Sequence, residues 1–126
     1  MLTRVAVLNQ GASQTGVRAA STLRHLLGVA RENNQRPDFE IVDPDLAQSA
    51  AAGTGLQGSL NLTLQQARDL GAAIGCDFYF IGDAQTFKRS PSAGPAYYES
   101  YATIFLVSAR SGRLVQKDAI LRRFRR

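Results

Sequence analysis

The run Asp77-Phe-Tyr-Phe-Ile-Gly82 has no polar residue between its ends. A strand with one wet face alternates apolar and polar residues, whereas a short run that is apolar at every position suits a strand covered on both sides. Just upstream, Leu64, Ala67, Leu70 or Gly71, and Ile74 recur at helical spacing. They follow Thr63-Leu-Gln-Gln66, which has the S/T-x-x-E/Q form of a capping box. Gly75 stands where helices commonly end in a left-handed residue. A capped helix over 64–74 that feeds straight into a doubly buried central strand points to a layered α/β domain.

The rest of the chain fits that frame. Arg4-Val-Ala-Val-Leu-Asn9 is a second buried strand, followed by a loop from Asn9 to Gly16. Val17, Ala20, Leu23, Leu27 and Ala30 then form an apolar stripe with Arg18, Arg24 and Arg31 largely off it, which predicts a helix over 15–32. Asn33-Asn-Gln-Arg-Pro37 ends it. Phe39-Glu-Ile-Val-Asp43 is a strand, and 45–52 a short helix broken by Gly53, Gly55 and Gly58. Arg89-Ser-Pro-Ser-Ala-Gly-Pro95 is an exposed loop. Tyr97 to Ala109 is a long strand, with Tyr97, Tyr101, Phe105 and Val107 on one face and Tyr98, Ala102, Ile104 and Leu106 on the other. It turns at Ser111-Gly112, and Leu114 to Phe124 returns as a hairpin.

Helix-bearing crossovers make the first three strands parallel, and right-handed connections put strand one between strands two and three. The expected fold is α/β and three-layered: a mixed five-stranded sheet in the order 2-1-3-4-5, with helices on both faces. Its hairpin strands are antiparallel, and the fifth has no outer neighbour. One domain spans 1–121, with a basic tail at 122–126. A chain of 126 residues buries enough core to fold without disulfides or a structural metal.

The net charge of +5 is unevenly placed. Arg122, Arg123, Arg125 and Arg126 supply four charges, while 1–121 hold 11 Lys and Arg against 10 acids. A near-neutral body argues against specific nucleic-acid binding. Cys76 is the only cysteine, so no internal disulfide and no cysteine zinc site is expected. No stretch has the length of a membrane span or the form of a signal peptide. The expected setting is the cytoplasm, or the periplasm or envelope if the segment belongs to a longer chain. The abrupt basic ending favours the second.

No catalytic constellation stands out. Gly11 to Gly16 has the frame of a phosphate loop, placed after a strand and before a helix, where anions are favoured. Val17 and Arg18 replace the Lys and Ser/Thr such a loop needs. A small-ligand or nucleotide site using Gly11, Ser13, Thr15 and Gly16, facing Asp43 and Asp83, is therefore the alternative reading, against a Gly-rich turn capped by Ser13 or Thr15. Asp43, Asp45, Asp77 and Asp83 cluster at strand ends, where turn initiation is the commoner role of Asp than cation binding. His25 sits mid-helix without a partner, and Cys76 reads as a small buried hydrophobe. Neither catalysis, cofactor nor metal is expected. Tyr97, Tyr98 and Tyr101, with Arg113, Gln116 and Lys117 on the returning strand, form a candidate surface for a protein partner of unknown identity or a second copy joined at the edge strand.

Val5-Ala-Val-Leu8, Phe39-Glu-Ile-Val-Asp43, Ala67 to Gly71 and Gly75-Cys-Asp-Phe-Tyr-Phe-Ile-Gly82 together resemble the N-terminal domain of TolB and CsgG-like domains. Ser111-Gly-Arg-Leu-Val115 matches the turn that follows their long strand. The resemblance runs over 4–121 and extends to extracytoplasmic modules of TonB-family proteins. It implies a non-catalytic cell-envelope domain for protein contact or assembly, and carries over no catalytic residue. The segment 83–96 is short for the barrel-forming insertion of pore-forming relatives.

Overall fold

The structure is a computed structural model that describes residues 2–33, 39–56 and 58–124, with the backbone only at 120 and 122–124. Along the chain run β1 (Thr3–Val7), α1 (Gln14–Asn33), β2 (Phe39–Ile41), α2 (Pro44–Thr54), α3 (Leu64–Ile74), β3 (Phe78–Arg89), β4 (Tyr97–Ser108) and β5 (Leu114–Phe124). They make one sheet in the order β2-β1-β3-β4-β5. β1 is parallel to β2 and β3, and the β3–β4 and β4–β5 pairs are antiparallel. This is the expected topology: helical crossovers return the chain to the same sheet end, and hairpins reverse it.

The main core lies between the sheet and the α2–α3 layer. Ala47 and Ala51 of α2, with Ala67, Leu70 and Ile74 of α3, close over Ala6, Tyr79, Ile81 and Val107. Tyr79 is fully buried, and its hydroxyl donates to the Ala67 carbonyl at 2.8 Å. On the opposite face α1 buries Gly16 and Ala20, and Arg24 Nη1 donates to the Val7 carbonyl at 3.1 Å. Small residues set the spacing of the layers. A Cβ on Gly71 would lie 2.3 Å from Ala109 Cβ, so α3 rests flat against the start of the β4–β5 turn.

The caps are local chemistry already visible in the sequence. Thr63 Oγ1 accepts from Gln66 N at 3.1 Å while Gln66 Oε1 accepts from Thr63 N at 3.0 Å. Gly75 closes α3 at φ 76°. Asp43 caps α2, accepting from Asp45 N at 2.9 Å and Leu46 N at 3.2 Å, with Pro44 opening the helix.

Two expectations need correction. β3 does not end at Gly82 but continues to Arg89, so only residues 90–96 separate it from β4. The extension is exposed from Gln85 onward and mostly polar, and residues 83–89 form strand because they pair one for one with 97–103. Cross-strand pairing, rather than an apolar pattern, makes that strand. Second, Val17 is 43% exposed and Ala30 is also exposed, although helical spacing puts both on the α1 stripe. Gly16 takes the closest approach instead: a Cβ there would lie 2.1 Å from the Gln10 carbonyl oxygen. β5 runs from Leu114 to Phe124, the bounds expected for the returning strand. β1 and β2 stop two residues short of the expected ends, and α2 begins at Pro44. The expectations at 34–37, 125 and 126 lie outside the described residues.

Candidate functional site

The Gly11–Gly16 loop forms where expected, but its polar atoms engage the protein itself. Gly16 N donates to Ser13 Oγ at 3.1 Å, Ser13 Oγ donates to the Ala84 carbonyl at 2.6 Å, and Thr15 shares a hydrogen bond with Thr86 at 2.8 Å. Gly11 has φ 89°, and a Cβ there would meet Asp83 Oδ1 at 2.6 Å. Glycine is therefore needed both for the turn and for the carboxylate packed against it. Asp43 is engaged as the α2 cap, and Asp83 accepts from Gln85 Nε2 at 3.2 Å. The two acids do not converge: Asp43 follows β2, while Asp83 lies inside β3. Among the described residues no group of three or more His, Cys, Asp or Glu could hold a metal. Within the turn, the Gly16 N–H and the Ser13 and Thr15 hydroxyls are thus engaged by the protein itself.

The other candidate surface lies on the hairpin. Beyond Gly82 the sheet narrows to the far halves of β3, β4 and β5. Register alternation assigns Phe87, Arg89, Tyr97, Glu99, Tyr101, Lys117 and Leu121 to the Tyr79 face, and Thr86, Tyr98, Ser100, Gln116 and Asp118 to the α1 face. Tyr98 is thus separated from Tyr97 and Tyr101, and Gln116 from Lys117. Five of the six expected residues line the two sides of one ribbon, rather than a single patch. Arg113 lies exposed in the turn before β5, its N–H on Ser111 Oγ at 3.1 Å. Gln116 and Lys117 are exposed on β5, and Lys117 Nζ sits 5.5 Å over the Phe105 ring.

Sequence reasoning missed Glu99 as the organising residue of this ribbon. It is 4% exposed, accepts a short hydrogen bond from the Tyr101 hydroxyl, and pairs with Arg89 Nε at 3.4 Å. Arg89 also stacks 5.3 Å over Phe87, whose ring meets Tyr101 edge-on at 6.0 Å. Hydrogen bonding to Tyr101, with Glu99 adding to it, pushes the Arg89 guanidinium further above its ordinary value. A buried carboxylate is stable only when paired in this way. The signal was a lone acid inside Tyr97-Tyr-Glu-Ser-Tyr101, two residues' register from a basic Lys88-Arg89. On the α1 face, Thr86 links Thr15 to Ser100 by a second hydroxyl contact of 2.7 Å, which ties the ribbon to the start of α1.

Between α1 and the same ribbon runs an open trough of about 540 Å³, floored by Phe80, Ala84, Ala102 and Ile104 and walled by Leu23 and Leu26. Arg18 and Asp118 stand at its rim. α1 lies toward β1 and β3, which leaves β5 and much of β4 without a helix over them.

His25 is exposed on α1. Cys76 is half-buried against the core. Burial first, and then the neighbouring Asp77 charge, push its thiol from an ordinary 9.0 up to about 11. Burial likewise raises the Tyr79 hydroxyl to about 12. The sign follows directly. Between pH 9 and 11 the folded chain holds a thiol proton that the unfolded chain has released, so stability falls as pH rises across that window and is flat below it. Denaturation midpoints measured at pH 7, 9, 10 and 11 should show that decline, with a smaller one in Cys76→Ala. A midpoint unchanged from pH 9 to pH 11 contradicts the assigned burial.

No family model matches the sequence, and no curated protein matches it significantly. Solved structures do share the fold. The lipoprotein GNA1162 from Neisseria meningitidis superposes with a TM-score of 0.60 at 13% identity, over 96% of this chain and 82% of that one. The LpoB C-terminal domain from Salmonella enterica gives 0.53 at 16%, over 94% and 81%. The hypothetical protein CT253 from Chlamydia trachomatis gives 0.54 at 7%, over 98% and 73%. No helix among the described residues is long and apolar enough to cross a membrane.

Proposed function

We propose that this chain is a non-catalytic interaction or assembly domain of the bacterial cell envelope, and that its partner docks on the C-terminal hairpin. One observation carries the reading: β5 is an eleven-residue strand at the margin of the sheet, with no strand beyond it among the described residues. Such an edge offers a row of backbone donors and acceptors to another chain. The fold's likeness to a Neisseria lipoprotein and to the LpoB C-terminal domain supports the envelope setting. The resemblance to TolB N-terminal, CsgG-like and TonB-family modules points the same way. The domain then works in the periplasm as part of a longer chain, and a second copy of the chain is one partner the edge admits.

The test is a photo-crosslinking amino acid placed in turn at Tyr98, Tyr101 and Lys117, with His25 on α1 as the control site, in cells carrying the native envelope. Adducts with an envelope protein, formed at the hairpin and not at His25, are the expected result. Adducts only with cytosolic proteins, or equal yields from both sites, count against the reading.

A further inference from the structure

The chain's net positive charge falls in its last seventeen residues, the segment that includes β5. Residues 110–126 contain seven Lys and Arg and one acid, a balance of +6, whereas 1–109 contain eight Lys and Arg against nine acids. Within that segment β5 itself carries Lys117, Arg122 and Arg123, with Asp118 as its lone acid. Lysine on an edge is a common guard against indiscriminate pairing. A guard of one sign is also selective: it repels a basic strand and attracts an acidic one.

The register makes the selectivity sided. By register Lys117 and position 123 pair with Phe105 and Glu99 of β4 in the Tyr79-side set, while Asp118 and position 122 pair with Ile104 and Ser100 in the α1-side set, so of the two sets of β5 residues only the second includes an acid. An added strand would set its alternate side chains next to these at about 5 Å. Carboxylates on the Tyr79 side meet Lys117. Carboxylates on the α1 side meet Asp118 and are disfavoured there. That side instead continues the apolar floor of the trough beside Ile104 and Leu106, next to Val115.

From the free edge and its charge we infer that β5 takes up an extended acidic segment of a partner protein as a sixth strand, with acidic residues at alternate positions and apolar residues between them. The inference rests on the proposed docking of a protein at the hairpin and specifies its chemistry. Main-chain hydrogen bonds to β5 hold the segment, and the alternation fixes its register.

The experiment uses the full chain and three labelled eleven-residue peptides: one alternating Glu with Val and Thr, one with Lys in place of Glu, and one acidic peptide of helical spacing. Fluorescence anisotropy should show the alternating acidic peptide binding at least tenfold tighter than the other two, and weakening at least tenfold from 50 to 300 mM salt. In Lys117→Glu the preference should move toward the Lys peptide. Gln116 and Ala119 are three residues apart, so their N–H groups point to opposite sides of β5, one to β4 and one outward. Of Gln116→Pro and Ala119→Pro, the variant whose circular dichroism stays native should lose the acidic peptide. Three results overturn the inference: equal binding of acidic and basic peptides, undiminished binding in the native-like proline variant with no charge swap in Lys117→Glu, or binding to anionic phospholipid vesicles without any to the peptides. If the hairpin crosslinks described above persist in the native-like proline variant, protein docking stands and strand addition fails. If the wild-type chain gives no hairpin crosslinks, docking itself fails.

Discussion

Replacing Tyr79 with Ala should destabilise the domain by about 3–5 kcal/mol, as deletion of a buried aromatic side chain typically does. The ring is fully buried at the centre of the sheet and lies under α3. Its neighbours in the α2–α3 layer are mostly alanines, with short side chains that cannot swing in to fill the space. A loss of that size is a large part of the ~5–15 kcal/mol that holds a domain together. Tyr79→Phe separates the hydroxyl from the ring. It removes one hydrogen bond, but the Ala67 carbonyl keeps its helical donor, so the cost should be about 1 kcal/mol. Urea denaturation of both variants is the measurement. A Tyr79→Ala loss below about 1 kcal/mol, or equal losses for both, would mean that Tyr79 is not the centre of the core.

The second large effect is expected at Gly71. Helix propensity alone favours Gly71→Ala by about 1 kcal/mol. Packing opposes it, because the new Cβ would lie 2.3 Å from Ala109 Cβ, 2.9 Å from Ala109 Cα and 3.3 Å from the Tyr79 ring. Overpacking costs about 1–3 kcal/mol, so Gly71→Ala should be net destabilising and Gly71→Val should reach the upper end of that range. Ala109→Gly removes the nearest atom and should recover part of the loss in the Gly71→Ala background, a coupling that a double-mutant cycle reads directly. If Gly71→Ala stabilises the domain, propensity has won and α3 does not sit flat on the turn.

The fold was legible wherever burial imposed a pattern. Phe78 to Ile81, the Thr63 capping box and the two helical crossovers each constrained the topology, and the structure bears out the strand order. Legibility ended where the sheet leaves its helices. From Gln85 to Arg89 no core demands apolar residues, so the sequence looks like a loop and only its partner strand makes it a strand. Val17 misled for a related reason. Hydrophobicity marks a helix face, but the closest contact of α1 is made by a residue with no side chain at all, Gly16. At the candidate site the tyrosines and the basic edge were visible one by one. Alternation already divides the tyrosines between two faces, but the burial of Glu99 among Phe87, Arg89 and Tyr101 depends on pairings that no local pattern records.

The two margins of the sheet are unequal, and this decides how far any association through it can proceed. β2 is three residues long, and β5 is eleven. Head-to-tail stacking needs the long edge of one molecule to meet an equally receptive edge on the next, and a three-residue strand offers too few pairs to continue such a chain. A two-fold pairing of β5 with its own copy runs antiparallel and closes on itself after a single addition. A strand from another protein ends growth in the same way. The geometry thus favours growth by one strand and then termination, an architecture that binds without polymerising.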